Sequence, residues 1–181
     1  MSGKVLVAYA SKMGGTAGIA EAIGDELRRC GHDVDVYDVA GVKSLDDYHS
    51  VILGSAIYAR RWRRSAVRFL RQHAAELRRR QVWLFHSGPL GPDRDTVEPV
   101  PGNVARLAHR IGAAEPVTFA GRLEQATAKG WIAKRLATGD TAGDFRDWDR
   151  IRHWAREVHD GIDAVDVSEW SRELWRDPRQ P

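Results

Sequence analysis

A stretch of hydroxyl-bearing residues and glycines follows the first apolar segment of the chain and precedes a helical pattern. Hydroxyl groups can donate to phosphate oxygens, and adjacent glycines let the backbone turn tightly and direct its N–H groups at an anion. A helix that begins directly after such a loop points its positive end at the same place. The stretch therefore predicts a cradle for a dianionic phosphate monoester. Its residues are Ser11, Lys12, Met13, Gly14, Gly15 and Thr16.

Two better-known phosphate-binding patterns do not fit this loop. A Walker loop needs Lys followed by Ser or Thr directly after its last glycine, and that sequence is absent. The dinucleotide pattern GxGxxG is not matched by Gly14, Gly15 and Gly18. Spacing alone also leaves open an ordinary glycine-rich turn between a strand and a helix.

Two later segments could hold a flat ring attached to that phosphate. Small residues in the first would let the backbone lie against a ring, and Tyr58 and Trp62 could stack on it or simply pack in the protein. The second offers backbone N–H and C=O groups to the polar edge of a ring. The first segment contributes Ser55, Ala56, Ile57 and Tyr58, and the second Ser87, Gly88, Pro89, Leu90 and Gly91.

Basic residues lie beside the first ring segment. Arg60 and Arg61, with Trp62, are predicted to contact a substrate, since guanidinium groups pair well with carboxylates. The alternative is a solvated start of a helix. His86 is a weak catalytic candidate as a proton relay, and a histidine that packs in the core is the competing interpretation.

Apolar patterning indicates which elements position these loops. Strand patterns cover residues 4–10, 33–37, 51–55, 82–85 and 116–120. The pattern is continuous and apolar, as in buried strands, at 4–10 and 51–55, and alternating at 33–37. Helical spacing runs from Ile19 to Leu27, with an end at Gly31, and then over 64–79, 101–111 and 147–165. This alternation predicts an α/β, flavodoxin-like doubly wound fold: a five-stranded parallel sheet with helices on both faces. We expect one binding domain over residues 1–165 and a partly helical tail over 166–181.

Composition limits the remaining function classes. The chain has 181 residues, 43% of them hydrophobic and 29% charged, with a formal net charge of +3. No nucleic-acid-binding motif accompanies the basic balance, so no nucleic acid partner is expected. Cys30 is the only cysteine, which excludes an intrachain disulfide and a CxxC metal site. No signal peptide or spanning segment is recognisable, so we expect a cytoplasmic protein.

Two other charged segments favour ordinary structural roles. Capping and solvation, and no bound metal, are expected for Asp140, Asp144, Asp147 and Asp149. A basic amphipathic stretch around Trp131 could contact the inner face of a membrane or pack on the sheet. Oligomerisation is compatible with the sequence but is not indicated by it.

Three stretches resemble one family. VLVAYASKMGGTAGIAEAIGDEL, VILGSAIYARRWRRSAVRFL and GDFRDWDRIRHWAREV are similar to the flavodoxin-domain family that includes menaquinone-dependent protoporphyrinogen oxidase. The resemblance implies one FMN, with its phosphate at residues 11–16 and its ring between residues 55–58 and 87–91. It also implies hydrogen transfer from protoporphyrinogen IX to a quinone, a step in heme biosynthesis. The third loop has Leu90 where electron-carrier flavodoxins have an aromatic residue, and residues 91–102 are short beside the oxidase's insertion.

Two functions follow from these observations. The first is an FMN-dependent oxidoreductase that passes electrons or hydride between a small-molecule substrate and a quinone or similar acceptor. The second is an electron-transfer protein that docks on redox partner proteins. Such carriers tend to present carboxylates around the flavin, and the arginines near Tyr58 favour the first function.

Overall fold

The computed structural model describes residues 4–88, 95–123 and 143–174, with side chains in the last helix described as far as residue 164. Strands and helices alternate along the chain. The strands are β1 Lys4–Ala10, β2 Val34–Asp38, β3 Tyr48–Tyr58, β4 Arg61–Trp62, β5 Gln81–Ser87, β6 Val117–Phe119, β7 Arg122–Leu123 and β8 Gly143–Asp144. The helices are α1 Gly15–Arg29, α2 Arg64–Gln72, α3 Ala74–Leu77, α4 Gly102–Ile111 and α5 Trp148–Leu174.

Five strands form a parallel sheet in the order β2-β1-β3-β5-β6. The chain leaves β1 toward β2 on one side and returns to β3 on the other side, so the strand order reverses between β1 and β3. Ligands of open α/β sheets bind beyond the carboxyl ends of the strands at such a point. The predicted doubly wound five-stranded sheet is confirmed.

A core lies on each face of this sheet because its central strands are apolar on both sides. Leu6, Leu53 and Leu84 face helices α2 to α4, where Leu70 and Leu107 are also buried. On the opposite face, α1 and α5 pack against the sheet and against each other. Their buried contacts include Ile19, Ile23, Leu27, Ile151, Val158 and Ile162. Both cores support the strand ends from opposite sides.

Several predicted boundaries were wrong. β3 continues to Tyr58, three residues past the predicted strand, and then turns back into β4. The predicted helix over 64–79 is interrupted at His73, which separates α2 from α3. α5 extends to Leu174, past the predicted end of the last helix at residue 165.

The start of α5 shows the expected capping. The carboxylate of Asp147 accepts a hydrogen bond of 3.0 Å from the backbone N–H of Arg150, which satisfies a donor of the first helical turn. Among the described helices, none is long and apolar enough to cross a membrane.

Candidate functional site

The three predicted loops begin side by side at one edge of the sheet. Ala10 at the end of β1 is paired with Ser55 of β3. Ser55 is in turn paired with His86 of β5, and Ala56 with Ser87. Parallel pairing thus brings together segments that are more than 70 residues apart in sequence.

The first loop is a tight turn that opens directly into α1. Gly14 is the N-cap residue and has φ of +82°, a conformation that favours glycine. Its N–H donates a 3.0 Å hydrogen bond to Ser11 Oγ, which leaves the Ser11 hydroxyl proton free to donate. No side chain caps α1, and its first turn contains no acidic residue. The first N–H groups of α1 therefore lack a side-chain acceptor within the helix start and can donate to an anion.

A buried pair of hydroxyls joins the first loop to the third. Thr16 Oγ1 and Ser87 Oγ lie 2.8 Å apart, and either can be the donor. Thr16 is 1% exposed and Ser87 is 5% exposed. Since each hydroxyl can donate once and accept twice, this pair retains hydrogen-bonding capacity.

Two arginines outside the predicted site residues lie against residues 11–16, the proposed phosphate loop. A Cβ added to Gly14 would lie 3.4 Å from the guanidinium Nη2 of Arg122, and one added to Gly15 would lie 3.4 Å from the Arg122 backbone nitrogen. The glycines thus allow β7 to approach the loop closely. Arg146 Nη1 donates to the carbonyl oxygen of Gly15 at 3.3 Å. Two guanidinium groups from residues distant in sequence therefore lie at the loop, and the nearby carboxylate of Asp144 offsets part of their charge.

Arg146 is fixed by its own neighbours. It pairs with the carboxylate of Asp144 and lies over the ring of Trp148 at 4.3 Å. The hydrogen bond from Arg146 holds the pKa of Asp144 below its usual value. These residues belong to the GDFRDW stretch on which the family resemblance partly rested, so one role of this stretch is to support the phosphate loop.

The second loop is a hairpin between β3 and β4. Tyr58 pairs with Arg61, so Ala59 and Arg60 form a two-residue turn, with φ of +47° and +58°. Positive φ at both central residues is typical of a type I′ turn, although neither residue is glycine or asparagine. Tyr58 is 40% exposed at the edge of this hairpin, while Ser55, Ala56 and Ile57 are buried.

Ser55 ties the hairpin to α2. Its Oγ accepts a 3.0 Å hydrogen bond from the backbone N–H of Arg63, the residue that precedes α2. The side-chain Nε of Arg63 is buried and has no acceptor among the described residues. Burial raises the pKa of Tyr58, and the nearby charge of Arg63 opposes this effect. Arg63 therefore offers a donor close to the exposed tyrosine.

Trp62 and His86 form a buried hydrogen-bonded chain. The indole N–H of Trp62 donates to His86 Nδ1 at 3.2 Å, and His86 Nε2 lies 2.8 Å from Thr118 Oγ1. An indole can only donate, so Nδ1 accepts and the proton of the neutral ring is on Nε2. His86 is completely buried, and burial lowers its pKa to about 4. A hydrogen bond with the Glu98 backbone has a smaller effect, which raises the pKa. This geometry favours the packing interpretation of His86.

The predicted substrate-contacting residues differ in exposure. Arg60 and Arg61 are exposed on the hairpin, and no acidic partner of theirs lies within the described ranges. Trp62 is 5% exposed, so it packs in the core and supports the hairpin from its buried side. Lys12 is exposed and Met13 is buried. Pro89, Leu90 and Gly91, Asp140 and the stretch around Trp131 lie outside the described residues.

Comparisons with known proteins agree with the fold. The model of a family described as "Flavodoxin domain" matches residues 6–127, more than half of the chain. A search of curated proteins found no match.

Three solved structures illustrate the fold. A flavodoxin from the domain Archaea has a TM-score of 0.62 at 15% identity, covering 88% of this chain and 99% of that protein. Oxidised flavodoxin 2 from Bacillus cereus has a TM-score of 0.56 at 21% identity, with coverages of 84% and 94%. Rubredoxin oxygen:oxidoreductase from Desulfovibrio gigas has a TM-score of 0.59 at 15% identity, with coverages of 89% and 36%. The predicted flavodoxin-like fold is thereby confirmed.

Proposed function

This chain belongs to the flavodoxin-domain family, and from this premise we propose that it binds one FMN non-covalently and acts as an FMN-dependent oxidoreductase. The observation that carries the proposal is the anion site at the start of α1. Uncapped backbone N–H groups, the Ser11 hydroxyl and the buried pair of Thr16 and Ser87 converge there. The residues fit a phosphate monoester, and the nearby guanidinium of Arg122 adds favourable charge.

The isoalloxazine ring would lie beyond the ends of β3 and β5. Ser55 to Ile57 would supply backbone contacts, Tyr58 would stack on one face, and residues 87–91 would contact the polar edge. The exposed ring of Tyr58 and the donor on Arg63 support this assignment. When bound, FMN supplies the redox chemistry, and the protein binds it, orients it and tunes its surroundings.

The exposed arginines favour an anionic small-molecule substrate. Arg60 and Arg61 project from the hairpin beside Tyr58, where guanidinium groups could pair with carboxylates. The family resemblance suggests protoporphyrinogen IX, which carries propionate groups, as one such substrate. It suggests a quinone such as menaquinone as the acceptor. The same hairpin also gives the second candidate an observation in its favour, because Tyr58 is exposed on a surface that a redox partner protein could reach.

Binding of FMN is tested by removing the hydroxyls that would contact its phosphate. We expect Ser11→Ala with Thr16→Val to weaken FMN binding by at least about 100-fold, because each hydrogen bond to a charged group contributes about 1.5–3 kcal/mol. Riboflavin, which has no phosphate, should lose less than about tenfold. Flavin fluorescence titration measures both dissociation constants.

Thr118→Val is the matched control for the loss of a buried hydroxyl at this end of the sheet. Its hydroxyl contacts His86 and lies outside the phosphate loop, so any effect on FMN and riboflavin should be equal. An equal loss of both flavins in the Ser11/Thr16 double variant would contradict the phosphate assignment. Protein that does not take up added FMN would contradict the proposal as a whole.

Substrate and acceptor tests separate the two functions. We would add protoporphyrinogen IX to the anaerobic FMN-loaded protein and follow the loss of flavin absorbance. The reduced protein would then be mixed with menaquinone and, separately, with small redox proteins. Turnover with quinone supports the oxidoreductase, while rapid reaction with redox proteins alone would support the electron carrier.

A further inference from the structure

A second group of chemistry-bearing side chains lies where the end of α1 meets α5. His32 follows the end of α1, while His159 and Asp163 lie one turn apart on α5. His32 Nε2 is 2.9 Å from His159 Nδ1 and 4.0 Å from Asp163 Oδ1. His159 Nδ1 is 3.6 Å from Asp163 Oδ2. Among the described residues, this is the one group of three potential metal ligands found close together, and its three ligand atoms all lie within 4.8 Å of one another.

Local structure explains why these side chains meet. α1 ends at Arg29, and Gly31 takes φ of +97°, which reverses the chain. The N–H of His32 then donates to the carbonyl oxygen of Leu27 at 3.1 Å, which fixes the residue against the end of the helix. On α5, Val158 and Ile162 pack in the core shared with α1. The residues that follow each of them, His159 and Asp163, therefore lie at the edge of the contact between the helices.

We propose that His32, His159 and Asp163 bind one divalent transition-metal ion of the zinc type. Imidazole nitrogens and a carboxylate oxygen are ligands that Zn²⁺ accepts, and water would complete the coordination. Two ligands about 2.1 Å from a tetrahedral ion are about 3.4 Å apart. The observed separations of 2.9, 3.6 and 4.0 Å lie on both sides of that value, so small side-chain movements would admit an ion.

Binding of the ion involves no redox change. In the contact between His32 Nε2 and His159 Nδ1, one nitrogen must carry the shared proton. The nitrogen that carries this proton loses it and the other nitrogen of the same ring takes one up, so both rings stay neutral and both facing nitrogens donate their lone pairs to the ion. The carboxylate of Asp163 offsets part of the added positive charge.

The degree of burial suits an ion that joins two helices. The His32 side chain is 4% exposed, His159 is 26% exposed and Asp163 is 56% exposed. The site is thus fixed on its α1 side and open to solvent on its α5 side, where an ion can enter. A bound ion would cross-link the end of α1 to α5 and stabilise the folded chain, since the ligands are not preassembled in the unfolded state.

α5 also provides a matched pair for control experiments. His153 and Glu157 have the same four-residue spacing, with His153 Nε2 3.5 Å from Glu157 Oε1. Both side chains are mostly exposed, and no third ligand joins them among the described residues. His153→Gln therefore removes an imidazole from the same helix without altering the proposed site.

Equilibrium dialysis of the untagged, FMN-loaded, chelator-treated protein against Zn²⁺ tests the proposal. We expect one Zn²⁺ per chain in the native protein and in His153→Gln. Affinity should fall at least about tenfold in Asp163→Asn and in His159→Gln. Zn²⁺ should also raise the melting temperature of the native protein and of His153→Gln, and raise that of Asp163→Asn much less.

Three results would overturn this site. The first is that the native chain takes up no stoichiometric Zn²⁺. The second is that Asp163→Asn and His159→Gln bind Zn²⁺ with unchanged affinity. The third is that Cys30→Ser loses Zn²⁺ uptake, which would indicate a thiol site. Circular dichroism of each variant without metal confirms that it folds, and the exposed Asp163 is the position where substitution disturbs packing least. The same dialysis without FMN should give the same Zn²⁺ stoichiometry, so the test does not depend on whether FMN binds or on which substrate the flavin site takes.

Discussion

At the scale of single residues, His86 shows how a polar group can belong to the packed core although it lies beside the proposed flavin site. Both ring nitrogens are engaged within the protein, by Trp62 and Thr118. Protonation of Nδ1 would place two N–H groups opposite each other and break the contact with the indole. The buried chain is therefore compatible with a neutral imidazole alone.

This arrangement predicts a pH dependence of stability. The folded-state pKa of His86 is about 4, below the ordinary value of 6.5, so the unfolded chain binds the proton more tightly. The free energy of unfolding should then fall as pH decreases below 6.5, by a total of about 3 kcal/mol near pH 4. Urea unfolding between pH 7 and pH 5 measures the slope before most carboxylates titrate.

His86→Gln is the informative variant, since an amide can accept from Trp62 and donate to Thr118 without titrating. We expect a shallower slope in this variant than in the native protein. His109→Gln, which replaces an exposed histidine on α4, should keep the native slope. Parallel curves for the native protein and His86→Gln would show that His86 does not cause the pH dependence.

At the scale of elements, the hairpin between β3 and β4 combines an exposed position with unfavourable backbone angles. Ala59 and Arg60 both have positive φ, where a side chain costs about 1–2 kcal/mol per residue. The turn is held by the pairs of Ile57 with Trp62 and of Tyr58 with Arg61. Packing of Trp62 in the core thus keeps a strained turn next to the proposed flavin site.

Relief of this strain should stabilise the protein. We expect Ala59→Asn with Arg60→Gly to raise the free energy of unfolding by about 1–2 kcal/mol, because Asn-Gly is the preferred type I′ pair. Urea unfolding measures the change. Arg60→Ala, which removes the charge and keeps a side chain at positive φ, should give no such gain. A double variant less stable than the native protein would contradict the turn assignment.

The elements also show what local sequence can and cannot predict. Continuous apolar runs such as Lys4–Ala10 identified the buried parallel strands, because two-sided burial leaves a clear pattern. The hairpin was missed because Ala59-Arg60 carries no turn residue, and the turn depends on tertiary packing of Trp62. Similarly, the break at His73 separates two helices whose apolar residues follow one continuous spacing.

Prediction of the candidate site was limited in the same way. Ser11 to Thr16 could be identified because the loop is contiguous and lies between a strand and a helix. Arg122 and Arg146 approach it only through the fold, as β7 and β8 pair and bring these arginines against Gly14 and Gly15. The cluster at His32 was missed for the same reason, since its other members lie on α5, and no metal was expected from the sequence.

At the scale of the whole molecule, exposed arginines lie at both edges of the sheet. Arg60, Arg61 and Arg64 are exposed near the carboxyl ends of the strands. Arg78 and Arg79 are exposed directly before β5, at the opposite edge of the sheet. A formal net charge of +3 attracts anions to the whole surface, but within a Debye length of about 8 Å at physiological salt the local arginines decide where anions concentrate.

This distribution predicts a charge-dependent redox rate for the reduced FMN-loaded protein. Oxidation by anionic ferricyanide should slow several-fold in Arg60→Ala with Arg61→Ala. The oxidation rate of this double variant should also fall less steeply as ionic strength rises. Arg78→Ala with Arg79→Ala lowers the formal net charge equally but acts from the far edge, so its rate and salt dependence should stay near those of the native protein. Stopped-flow absorbance at several salt concentrations measures both. Equal effects of the two double variants would mean that net charge, and not an arginine rim at the flavin, attracts the oxidant, and the case for an anionic substrate at Arg60 and Arg61 would lose its support.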